Sequence, residues 1–315
     1  MKHLRLASLE TGSSAPAEET HPDSPTKSRS KGLFMTMLGA FCFALVPIWV
    51  RSIEAYSSMG IVFFRALFGV LLLSFWILRT AEGRREATLA RLDRKQRLVL
   101  FCVGLSMCGT ATTYYLGIMK TSVAKAVVLH YTAPIYVAIL SPLLLREKNA
   151  PLTWFAVCAG LLGIALIAEP SSLIWGGRDE LLGIASAFIS GICLAGVFLF
   201  GRFLAGGLSS PVCTLWGSLI VLLALLPWGV SVPEGYFWQN LPFLGLLGTI
   251  SLVLPYILFF QGQKHITAQN ASMAALFEPV CGIAIGLLFF GERLTLLSSL
   301  GAAMVLFSIY LASCR

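Results

Sequence analysis

Charge is the scarcest commodity in this chain. Asp, Glu, Lys and Arg together make up 12% of its residues, against 57% hydrophobic, where a soluble domain carries roughly a quarter charged residues to keep its surface solvated. A water-soluble globule is therefore excluded. Paired cysteines are also missing: the eight cysteines include no CxxC, and no His or Cys stands at metal-ligand spacing from another. They read as small apolar helix residues, with no metal or cofactor implied. No GxxxxGK[ST] loop occurs, so ATP is not the direct energy source. The acidic residues are too scattered to supply the paired carboxylates or nucleophile and base of an enzyme. The apolar runs do not alternate with period two, which excludes a transmembrane barrel. The formal net charge is +8, but the basic residues gather in the amino-terminal tail and in Arg79–Arg97. Lipid head groups partner them there, and nucleic acid is excluded.

What is present is a series of apolar runs long enough to span hydrocarbon, which needs about 20 residues for ~30 Å. Ten qualify: Leu33–Val50, Met59–Leu78, Leu98–Met119, Ser122–Leu145, Leu152–Ala168, Leu181–Phe203, Pro211–Val230, Leu241–Phe260, Thr267–Phe290 and Leu294–Ser313. Links such as Arg146–Pro151 and Gly291–Arg293 are so short that the helices they join must be antiparallel neighbours. Residues 1–31 differ, being rich in Ser, Thr, Pro, Glu and Lys and lacking a secretory apolar core. They are expected to form a disordered cytoplasmic tail. With that tail inside, cytoplasmic links hold twelve Lys and Arg and the opposite side five, so both termini are expected in the cytoplasm.

The two halves repeat. A shift of 145 positions lays Tyr114-Tyr115-Leu116-Gly117 on Phe259-Phe260-Gln261-Gly262, Ala126 on Ala271, Pro134 on Pro279, and Glu147-Lys148 on Glu292-Arg293. Each copy holds five spans, an odd number, so the second enters the membrane from the opposite side. The expected fold is thus an all-α membrane protein of ten transmembrane helices in two inverted five-helix repeats, residues 32–168 and 179–315, joined by a linker at 169–178. Inverted repeats of this kind support alternating access around a midplane site.

Five-helix halves, a Pro midway along the fourth helix of each, and the closing pairs in Leu144-Leu145-Arg146-Glu147-Lys148 and Phe290-Gly291-Glu292-Arg293 resemble the EamA family of the drug/metabolite transporter superfamily. Phe64-Arg65-Ala66-Leu67 in the second helix is similar to the Arg often seen there. Arg146 departs from the pattern, standing where the family usually has Gly. The resemblance covers Leu33 to Ser313 and implies a secondary carrier, often an exporter, of amino acids or similar metabolites, in a bacterial inner (plasma) membrane.

Polar groups deep in a span face a cavity or a partner. Glu278 lies near the midplane of the ninth span, just before Pro279, where a carboxylate beside a loosened backbone can bind an amine or exchange a proton; the alternative is a locally paired structural Glu. The fourth span brings Lys125, His130 and Tyr131 ahead of Pro134. Lys125 either snorkels to the outer interface or meets substrate, and His130 is either a relay or a satisfied core histidine. Arg65 can steer an anionic group or pair with carbonyls. Trp49 and Tyr115 line an aromatic wall or simply pack. Glu147 and Glu292 are expected to close helix junctions through charge-assisted hydrogen bonds. The partners implied are a small-molecule substrate, the lipid bilayer and protons, with a homodimer left open. The competing function is a non-transporting membrane scaffold or receptor.

Overall fold

The computed structural model describes residues 25–50, 52–79, 81–89, 92–121, 123–168, 178–229, 235–291 and 295–313. Regular structure among these residues is entirely helical. We label the apolar helices in chain order: α1 Thr26–Val50, α2 Ser58–Arg79, α3 Arg94–Lys120, α4 Lys125–Leu144, α5 Pro151–Ile167, α6 Asp179–Leu204, α7 Ser210–Ala224, α8 Phe237–Gly262, α9 Ala268–Phe289 and α10 Leu296–Ser313. Eight are long and apolar enough to cross a membrane, whereas α5 and α7 are apolar but shorter. Residues 1–24 of the expected tail, residues 169–177 of the expected linker, and Glu292 with Arg293 lie outside the described residues.

One boundary needs correction. The tail was expected to run to residue 31, but a helix begins at Pro25. Proline presets a helical φ and has no N–H to leave unsatisfied at a helix start. The added turn is then held by contacts that composition does not reveal. The Ser28 hydroxyl pairs with His265 Nδ1 at 2.9 Å, and Arg29 Nη2 donates to the Ala312 carbonyl at 3.0 Å.

In-span prolines break helices where their missing N–H and ring disturb the ladder. Turns interrupt α1 at Leu45, before Pro47, and α4 at Tyr131–Thr132, before Pro134. A third break at Leu276 divides α9 before Pro279. In α8 the disturbance takes the form of a π-helical turn at Thr249–Val253, immediately before Leu254-Pro255.

Packing of apolar helices within lipid rests on close fit rather than on escape from water. The most extensive pairings are α3 along α6, α5 along α10 and α1 along α8, while α7 lies against both α2 and α3. α4 crosses α6, and α9 crosses α1. At the α5–α10 crossing the backbones nearly touch. A Cβ added at Gly163 would stand 2.7 Å from the Gly301 carbonyl oxygen, and one at Gly301 would stand 2.8 Å from the Ile167 nitrogen. Only glycine fits there. At the end of α4, Arg146 adopts φ 57°, and Gly291 at the end of α9 adopts φ 64°. The two positions are 145 apart, so both helices close with the same left-handed residue, once as the expected glycine and once as arginine.

Candidate substrate site

The breaks in α4 and α9 bring the polar residues of the two helices together. Pro279 has no N–H for the Ala275 carbonyl, and the Leu276 N–H turns back to Met273 O at 3.1 Å. Glu278 therefore sits in the first turn of a new half-helix, Phe277–Phe290, where the positive end of the helix dipole favours a negative charge. In α4, Pro134 likewise leaves the His130 carbonyl without its helical donor. The Thr132 hydroxyl donates to the neighbouring Leu129 carbonyl at 2.6 Å.

Across this junction the Tyr131 hydroxyl and the Glu278 carboxylate lie close enough to influence one another electrostatically. Glu278 also lies within electrostatic range of Arg65 from α2, Tyr114 and Tyr115 from α3, Tyr256 from α8 and its own neighbour Cys281. Five helices thus contribute to one polar cluster. Tyr131 is buried at 4% exposure, while Arg65, Tyr114, Tyr115 and Glu278 are half-buried.

Arg65 has two direct partners, neither of them the carboxylate. Its Nη2 donates to the Ser251 carbonyl, which lies four residues before Pro255 and so lacks the usual helical donor. Its guanidinium carbon lies 5.8 Å from the centre of the Phe43 ring. The Arg65 Nε, buried, has no hydrogen-bond partner among the described residues. His130 stacks on Tyr114 with ring centres 4.2 Å apart and meets Tyr131 edge-on at 5.1 Å. Its Nδ1 is 2.9 Å from the Ser190 hydroxyl, which itself donates to Ala187 O at 2.6 Å. Since Ser190 has given away its one hydrogen, His130 Nδ1 is the donor in the first bond.

Lys125 is engaged elsewhere, in an ion pair with Glu180 at the start of α6. Trp49 occupies the short piece of α1 beyond the Leu45 break, its indole N–H buried without a partner among the described residues. Tyr256 and Ser190 were not singled out from the sequence. Tyr256 carries one usable signal, its place directly after an in-span proline; a single serine in an apolar run such as Ser190 carries none. Glu147 closes a junction: Oε1 accepts from Arg202 Nε at 2.8 Å and Oε2 from the Ala268 backbone N–H at 2.9 Å. A surface cavity of about 400 Å³, lined by Arg85, Glu86, Gln96 and Ser209 among others, opens where α3 and α7 begin. It shares no lining residue with the Glu278 cluster. The cluster has the chemistry for recognition and the cavity is a feature of the helix ends.

A carboxylate, a guanidinium and several phenols on apolar walls can hold a small molecule carrying both charges. The chain matches the EamA-like transporter family at residues 30–168 and again at 181–314. It belongs to that family, and is an integral, multi-pass membrane protein. It is 30% identical over 278 residues to an uncharacterized transporter of Archaeoglobus fulgidus, spanning 88% of this chain and 94% of that one. It is also 30% identical over 213 residues to the threonine/homoserine exporter RhtA of Salmonella typhimurium, spanning 65% of this chain and 67% of RhtA. A solved crystal structure superposes with a TM-score of 0.73 at 15% identity, covering 90% of this chain and 96% of that one. That similarity speaks to the fold alone.

Proposed function

We propose that this transporter is a secondary carrier that exports small amphipathic metabolites, amino acids or related zwitterions foremost, by alternating access around the Glu278 cluster. The carrying observation is that cluster itself: Glu278 and Arg65 within electrostatic range of one another, among phenols drawn from three helices. A substrate ammonium is matched by Glu278, and a substrate carboxylate by the unpaired edge of Arg65. Tyr131 is the neighbour whose place beside Glu278 a substrate amine would take. In this reading His130 and Tyr115 shape the wall, Trp49 caps it, and Lys125 holds α4 to α6 at its outer end. The similarity to RhtA supports the choice of amino acids.

Two features support the inverted two-repeat arrangement, with residues 32–168 and 179–315 as its halves. The family matches the chain twice in succession. The pairings are also preserved when five is added to each helix label, counting past α10 back to α1: α3–α6 becomes α8–α1, α4–α6 becomes α9–α1 and α3–α7 becomes α8–α2. The distribution of Lys and Arg supports cytoplasmic termini in a bacterial inner membrane.

The test is solute counterflow in proteoliposomes with labelled amino acids, nucleobases, polyamines and vitamins, comparing wild type with Glu278→Gln. The expected result is accumulation of one zwitterionic class by wild type and its loss in the variant. Equal accumulation by both would remove Glu278 from the binding site. Accumulation of nothing by folded wild type would return the chain to the scaffold reading.

A further inference from the structure

The two broken helices do not meet evenly along their length. The second half of α4, Ala133–Leu144, packs against the first half of α9, Ala268–Ala275. Among the described residues no comparable packing joins Val123–His130 to Phe277–Phe290. α4 and α9 are therefore closed together at the Glu147 end and less closely packed at the other, where the ion pairs Lys120–Asp179 and Lys125–Glu180 join α3 and α4 to α6.

Glu147 sits at the closed seam and touches both sides of it. It follows α4 in sequence, binds Arg202 of α6, and takes the first N–H of α9. Arg202 in turn donates through Nη1 to the Gln263 carbonyl at the end of α8, at 2.7 Å. One carboxylate thereby fastens α4, α6, α8 and α9 at a single end. The residue after Ala268 is Gln269, 2% exposed, with both the Oε1 and the Nε2 of its carboxamide buried and unpartnered among the described residues. A buried amide with neither atom paired opposes the arrangement that buries it. Most in-span hydroxyls turn to carbonyls of their own helix, as Ser272 does to Gln269 O; Thr110 and Ser218 each leave one buried hydroxyl without a partner among the described residues, whereas Gln269 leaves both atoms of a carboxamide unpaired.

We propose that Glu147 is the latch of a gate at this end, and that Gln269 is the counterweight that makes the gate reversible. Parting α4 from α9 breaks the charge-assisted bonds of Glu147 and admits water, or the polar end of a substrate, to the Gln269 carboxamide. The two terms oppose each other, so neither state is a trap. Gln269 is then also the first polar group that a solute entering from this end meets on its way to Glu278. The assignment rests on the carrier reading given above.

Hydrogen–deuterium exchange of the full-length protein in nanodiscs tests it without any substrate, because exchange of the Gln269–Ala275 amides reports opening to water. Glu147→Gln weakens the latch, and exchange there rises about tenfold or more. Gln269→Leu removes the opposing group at similar volume, and exchange falls about fivefold or more. The double variant returns toward wild type, while α5 and α10 exchange alike in all four proteins. An unchanged rate in folded Glu147→Gln, or a faster one in Gln269→Leu, overturns the proposal. If Glu147→Gln fails to fold, the sign in Gln269→Leu decides alone. Counterflow on the same samples separates the two readings. Exchange shifting as stated with no solute accumulated refutes carriage and keeps the gate, and the reverse keeps carriage and refutes the gate.

Discussion

Replacing Arg65 by leucine should destabilise the protein chiefly through the Ser251 carbonyl, and a second substitution should reverse that part of the loss. Ser251 is fully buried and its carbonyl looks for a donor four residues on, at Pro255, where there is none. Arg65 Nη2 supplies it. Leaving a buried acceptor unpaired costs about 1–3 kcal/mol, and more where lipid keeps water away. Loss of the Phe43 face adds ~0.5–1 kcal/mol. Pro255→Ala restores a backbone N–H at that position, so Arg65→Leu should cost about 1–2 kcal/mol less in the Pro255→Ala background. The assay is a double-mutant cycle of reversible unfolding in mixed micelles of dodecyl maltoside and sodium dodecyl sulfate, followed by circular dichroism. Costs that add to within about 0.5 kcal/mol would refute the idea that Arg65 serves this carbonyl. The guanidinium would then be held for Glu278 or substrate alone.

Two further substitutions probe the frame around the site. Gly301→Ala drives a methyl group against the Gly163 carbonyl and the Ile167 nitrogen, both backbone atoms that cannot rotate away. We expect a loss of ~1–3 kcal/mol in the same unfolding assay; a change within experimental error would show that α5 and α10 can separate freely. Arg146→Gly should instead stabilise. Arginine held at φ 57° bears a left-handed penalty of ~1–2 kcal/mol, partly offset by the greater freedom glycine loses on folding, leaving a gain of about 0.5–1 kcal/mol. A loss on this substitution would mean that the exposed Arg146 side chain makes contacts worth more than its backbone strain.

Membrane residence and the polytopic helical class were legible from composition and run length, because ~30 Å of hydrocarbon imposes the same demand on any chain that crosses it. Helix breaks were legible too, at Pro47, Pro134, Pro255 and Pro279, where a missing N–H and the ring disturb the ladder, although Pro142 and Pro242 lie within unbroken helical stretches. Glu278 stood out as a carboxylate in the middle of an apolar run, and its expense there is a local property that sequence displays. Its neighbours were less visible. Tyr256 and Ser190 become partners only through helices 22 and 60 residues away from Glu278 and His130 respectively in the chain; beyond the proline before Tyr256, nothing local distinguishes them. The helical start at Pro25 escaped a composition argument because His265, just after α8, and the Ala312 carbonyl of α10 hold that turn in place.

The sequence alone thus determined what depends on the solvent and on single residues: a chain built for lipid, the positions of its breaks, and a duplicated register ending in Glu147 and Glu292. Tertiary structure decided which polar groups share a space. It set Tyr131 and Arg65 around Glu278, gave His130 to Ser190, and drew Lys125 away to Glu180. It also decided that one end of the bundle is shut. That asymmetry cannot be read from two halves so alike in sequence, because it lies in contacts between helices far apart in the chain, such as those of Glu147 with Arg202 and Ala268.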